Sequence, residues 1–120
     1  MASDLKIYHN PRCSKSRATL ALLQDAGLEP EIVLYLADPP SAKELTELLA
    51  AMNLSPRALI RTKEAPYKEL NLADESLSDD ALIAKMVANP ILIDRPIVVQ
   101  GEDARLCRPP ERVFELIGLT

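Results

Sequence analysis

Between Leu5 and Leu36 the residue pattern changes period twice, and that change constrains the fold more than any other feature of the chain. Leu5-Lys6-Ile7-Tyr8 alternates apolar and polar side chains and stops at His9-Asn10-Pro11, where Pro11 has no N–H to give to a ladder. A strand and then a loop are expected. From about Ser14 to Ala26 the residues favour helix, Leu20, Leu23 and Ala26 can share a face, and Gly27 stands where a left-handed C-cap is wanted. Glu31 to Leu36 is a short, largely apolar and partly β-branched run that suits a buried strand, parallel to the first after a helical crossover. The consequence is a βαβ unit whose first loop opens directly into its helix.

Beyond Asp38-Pro39-Pro40 the pattern turns helical. Ser41 and Glu44 have capping-box spacing, and Leu45, Leu48, Leu49 and Met52 form one stripe. Ser55-Pro56 starts a second short helix, with proline at its first position. Ser78 is the expected N-cap of a third, through Leu82, Ile83, Met86 and Val87 to the stop at Asn89-Pro90. Pro96-Ile97-Val98-Val99 and Ala104-Arg105-Leu106-Cys107 then flank Gln100-Gly101-Glu102-Asp103, which reads as an antiparallel hairpin. A closing helix is expected from about Pro110 to Ile117, with Gly118 at its end. The order describes an α/β fold, a mixed sheet of the thioredoxin class with a helical insertion between its βαβ and ββα parts.

The 120 residues, 48% of them apolar, suit a single domain spanning 1–120. Fourteen basic residues against 18 acidic ones leave a net charge of -4, spread along the chain without a basic tract, which argues against nucleic acid as a general partner. No apolar run approaches the ~20 residues that span a bilayer. Met1-Ala2-Ser3-Asp4 has neither the basic segment nor the apolar core of a secretion signal, so a cytoplasmic protein without membrane attachment is expected. Two cysteines, Cys13 and Cys107, are too few and too far apart for a disulfide scaffold, and with a lone histidine they make no metal site.

Cys13 falls at the junction of the first loop and the first helix, where free N–H groups and the helix dipole favour an anion such as a thiolate. His9, Arg12, Lys15 and Arg17 put four potentially cationic side chains within four residues of it, an environment that lowers a thiol pKa and attracts oxyanions. An inert cysteine under the helix would sit among apolar neighbours, so Cys13 is read as the nucleophile. His9 is given a supporting electrostatic role. Ser16 occupies the resolving position of a Cys-x-x-Cys spacing, which excludes an internal disulfide there but leaves a hydroxyl able to donate to the thiolate. A separate thiol must then complete any reduction.

His9-Asn10-Pro11-Arg12-Cys13-Ser14-Lys15-Ser16-Arg17 resembles the signature of the glutaredoxin-coupled ArsC-type arsenate reductases, which have a thioredoxin-like fold. Leu59-Ile60-Arg61 with Tyr67-Lys68-Glu69-Leu70 is similar to that family's central segment. Asn89 to Val98 and Leu106-Cys107-Arg108-Pro109 are similar to its C-terminal signature. Ser14-Lys15 stands where Gly-Thr is common, adding bulk and charge beside the anion loop. The resemblance implies that Cys13 attacks arsenate, or a similar oxyanion, held by Arg61, Arg95 and Arg108. Glutathione is then the co-substrate and glutaredoxin the partner, with no bound cofactor. It also places Pro96 at the proline that faces the active cysteine, with Arg95-Pro96 cis. His9, Ser16, Arg17 and Pro96 are the supporting residues.

Guanidinium forks match tetrahedral oxyanions whatever the family, although most arginines are solvated surface groups. Arg95 and Arg108 each precede a proline that can hold the backbone extended and aim the side chain. Arg61 rests on family position, and Arg57, Arg105 and Arg112 are read as surface charges. Cys107 is expected to be buried and inert in the second hairpin strand; the alternative is that it resolves an oxidised Cys13. A different class of function, a non-enzymatic regulator of the Spx type acting on RNA polymerase, resembles the same fold but works through the Cys-x-x-Cys pair that Ser16 interrupts.

Overall fold

The computed structural model describes residues 5–118. Residues 1–4, on which part of the case against a secretion signal rests, lie outside them. The chain groups into two compact units, one of residues up to Asp38 together with those from Arg95 onward, the other Pro39–Asp94.

The first unit carries the sheet, formed by β1 (Leu5–Tyr8), β2 (Glu31–Val33), β3 (Ile97–Gln100) and β4 (Asp103–Leu106). The strand order is β2-β1-β3-β4. β1 pairs parallel with β2, with Ile7 opposite Ile32, and antiparallel with β3, with Ile7 opposite Val98. The mixed sheet is therefore the expected one. Helix α1 (Ser14–Asp25) makes the crossover and ends where Gly27 takes φ +80°. No atom lies within 4 Å of a Cβ built on Gly27, so the positive φ alone calls for glycine there. Leu5, Ile7, Leu23, Val98, Cys107 and Val113, each 4% exposed or less, form the core of this unit. Each buried aliphatic side chain is worth about 1.5–3 kcal/mol relative to exposure. Leu20, Phe114 and Ile117 pack on them from α1 and from the closing helix (Val113–Ile117).

One strand differs from its expectation. β2 stops at Val33, and Ile32, Leu34 and Leu36 are 46%, 47% and 40% exposed. β3 takes the inner side of β1, so β2 is left at the edge with one ladder partner. An apolar run does not by itself distinguish a central strand from an edge.

The second unit is the helical insertion. It holds α2 (Ala42–Met52), α3 (Pro56–Leu59), α4 (Ala65–Glu69) and α5 (Asp79–Ala88), which makes the closing helix α6. Ser41, Ser55 and Ser78 are the N-caps expected for α2, α3 and α5, accepting from the N–H groups of Glu44, Ala58 and Ala81. α2 packs on α5, and Leu45, Leu48, Leu49, Leu82, Ile83 and Met86 are buried. α4, one short turn and a half, carries no apolar stripe and was not expected from periodicity. Arg57 is not a free surface charge: Nη1 donates to the Leu72 carbonyl and Nη2 to that of Asp74 at 2.6 Å, fastening the loop after α4. In the first unit Arg105 pairs with Asp103 and Glu115, and Arg112 with Glu115.

Candidate active site

Residues 9–13 form a loop tied to itself and to the first turn of α1. The Cys13 N–H donates to the Asn10 carbonyl at 3.0 Å, the Arg12 N–H to Asn10 Oδ1 at 3.0 Å, and Arg17 Nη1 to the Pro11 carbonyl at 2.8 Å. Cys13 is the N-cap residue of α1 and has an extended backbone, so its side chain stands where the first helical N–H groups emerge. It is partly exposed. Partial burial pushes the Cys13 thiol up, but the N–H of Ser16, the Arg95 guanidinium, the N–H of Lys15 and the charge of Arg95 together outweigh it and hold the thiol below its ordinary value. These donors are what a thiolate needs.

Two supporting residues, Ser16 and His9, differ from expectation in how they act. Ser16 serves Cys13 through its backbone N–H. Its hydroxyl is fully buried and lies 2.6 Å from His9 Nδ1, while it accepts from the Asn10 N–H at 3.0 Å. That second bond leaves the hydroxyl proton available to His9. His9 itself is 6% exposed, and burial, followed by the charge of Arg17, lowers its pKa. Near neutral pH the imidazole is uncharged, so its role is a hydrogen bond beneath the loop instead of a positive field.

Arg95 and Arg108 approach from the segments bordering the β3–β4 hairpin. Nε and Nη1 of Arg95 are buried, and Arg108 Nη1 donates to the Arg95 carbonyl at 3.0 Å. Arg95-Pro96 is cis, as the resemblance implies; Arg108-Pro109 is cis as well, which no residue pattern indicated. Pro96 is buried, and its carbonyl accepts from the Cys107 N–H at 2.9 Å. Cys107 is 0% exposed, and burial pushes its thiol up to about 12, the state of an inert core cysteine. Within the first unit Arg95 thus acts on the Cys13 sulfur and Arg108 is tied to the Arg95 backbone, while His9 and Ser16 bond to each other and Arg17 closes on the Pro11 carbonyl.

Arg61 belongs to the second unit. An isolated antiparallel bridge pairs Ile60 with Ile93, and its flanks are closed by the Arg61 N–H on the Leu92 carbonyl and the Asp94 N–H on the Leu59 carbonyl. The guanidinium is held by Glu64 at 3.0 Å and by Asp94 at 2.8 Å. Glu64, three residues on in the chain, was readable as a partner; Asp94, 33 residues away, was not. Among the described residues no group of three or more His, Cys, Asp or Glu side chains is placed to hold a metal ion, and no helix is long and apolar enough to cross a membrane.

A family model described as the ArsC family matches residues 8–116. The chain is 58% identical over 119 residues to the uncharacterized protein YfgD of Escherichia coli strain K12, covering 98% of this chain and 100% of that protein. It is 50% identical over 115 residues to an arsenate reductase of Escherichia coli, covering 96% of this chain and 82% of that one. Among solved structures, an arsenate reductase from Vibrio cholerae is similar with a TM-score of 0.92 and 53% identity, over 96% of this chain and 98% of the other.

Proposed function

The chain belongs to the ArsC family and has its thioredoxin-like fold, and we propose that it reduces arsenate to arsenite through a Cys13 thiolate. The observation that carries this reading is the convergence of the Lys15 and Ser16 N–H groups and the Arg95 guanidinium on a partly exposed sulfur. A tetrahedral oxyanion has the charge and the acceptors to use the same donors as the reaction proceeds. The relatives named arsenate reductase support an oxyanion of this class as the substrate.

In this mechanism the thiolate attacks arsenic(V) and an oxygen leaves as water, giving a Cys13 thioester of arsenate. Glutathione then attacks, a Cys13–glutathione disulfide forms, and the two electrons released by the two sulfurs reduce arsenic to the +3 state of arsenite. Glutaredoxin returns Cys13 to the thiol by thiol–disulfide exchange. Arg95 and Arg108, with Arg61 on the strength of the family resemblance, bind the oxyanion and offset its charge. The protein works in the cytoplasm, with glutathione as co-substrate and no resident cofactor.

The test is arsenite formation by purified protein with glutathione and glutaredoxin, beside Cys13→Ser. The expected result is turnover that falls to background in the variant. Equal background rates for both proteins would refute the assignment.

A further inference from the structure

A guanidinium offers two bidentate faces to an oxyanion, the side-on pair Nε and Nη2 and the end-on pair Nη1 and Nη2. On Arg61, Glu64 Oε2 takes Nε and Asp94 Oδ1 takes Nη1, so one nitrogen of each face already holds a carboxylate. All three side chains are about a quarter exposed or less. The two carboxylates are not held alike. The backbone of Asp94 is fixed, since its N–H donates to Leu59 and the bridge pairs Ile93 with Ile60. Glu64 is the N-cap residue of α4, yet its side chain makes no capping hydrogen bond; its carboxylate goes to Arg61 instead.

We infer that Glu64 is an internal competitor for the oxyanion at Arg61, and that Asp94 is the positioning residue that keeps the guanidinium oriented when Glu64 is displaced. Displacement opens the side-on face, Nε and Nη2, while Asp94 retains Nη1. The arrangement sets specificity by charge: a dianionic tetrahedral oxyanion competes with a carboxylate for the fork, and a weakly basic monoanion does not. This rests on the reading of Arg61 as an oxyanion ligand.

The test uses sodium sulfate, an unreactive tetrahedral dianion, titrated calorimetrically at constant ionic strength into the intact protein and its variants. Glu64→Gln keeps the shape and an acceptor but removes the charge, and for a part-exposed ion pair the expected gain is a roughly two- to fivefold lower sulfate Kd. Glu64→Ala should gain in the same direction, because the side chain caps nothing. Asp94→Asn should bring no gain. The gain should vanish when Arg61→Ala is added to Glu64→Gln. Glu115→Gln is the control: it removes a carboxylate from Nε of Arg105, in an otherwise similar two-carboxylate setting, and should leave sulfate binding unchanged. In turnover, Glu64→Gln should lower the KM for arsenate without raising kcat. No tightening with Glu64→Gln and Glu64→Ala, tightening that survives Arg61→Ala, or equal tightening with Asp94→Asn or Glu115→Gln would overturn the inference. Failure of the reductase reading would instead show as absent arsenite formation by the unaltered protein, which the sulfate titrations do not depend on.

Discussion

At the scale of single residues, the Cys13 thiol is decided by a balance in which burial opposes ionisation and three sets of donors favour it. Alkylation by iodoacetamide follows the thiolate, so its rate against pH should inflect below the ordinary thiol value. Arg95→Ala removes both a hydrogen bond and a charge from the sulfur, and the inflection should move up. An unchanged profile would show that Arg95 does not act on the thiol. Ser16 separates the work of a backbone group from that of a side chain. Ser16→Ala keeps the N–H that serves Cys13 but leaves His9 Nδ1 and the Asn10 N–H, both buried, without the hydroxyl. A loss of about 1–3 kcal/mol in urea-induced unfolding is expected, the cost of buried polar groups left unsatisfied.

At the scale of elements, the contrast between β1 and β2 is a test of where the sheet is deep. Ile7 and Ile32 face each other in the parallel ladder, yet one is 0% and the other 46% exposed. Ile7→Ala should cost about 2–5 kcal/mol, as for buried aliphatic truncations, and Ile32→Ala well under half of that. Equal losses by thermal or urea unfolding would mean that β2 is covered. The end of α1 offers a second case. Gly27→Ala meets no neighbouring atom, so its cost is the left-handed backbone alone, about 1 kcal/mol.

For the molecule as a whole, Cys107 couples stability to alkaline pH. Its thiol is raised from 9.0 to about 12 in the folded chain. Below 9.0 the folded and unfolded chains both carry the proton, and nothing is lost. As pH rises through the window from 9.0 to about 12 the unfolded chain releases the proton first, so stability falls, by up to about 1.4 kcal/mol per pH unit. Cys107→Ala should flatten that slope in unfolding curves measured across the window, while arsenite formation is retained. A slope unchanged by the substitution would place the coupling elsewhere. The sequence determined the elements other than α4 and the length of β2, because periodicity, serine N-caps and the glycines after α1 and α6 are local signals, and it marked Cys13 as the candidate nucleophile, because loop, helix start and cations are adjacent in the chain. It did not reveal that β2 is an edge, that the Ser16 hydroxyl turns to His9, that Arg57 clamps two carbonyls, or that Asp94 reaches Arg61. Those depend on which strand pairs with which and on partners as many as 33 residues apart, and only chain folding brings such groups within hydrogen-bonding distance.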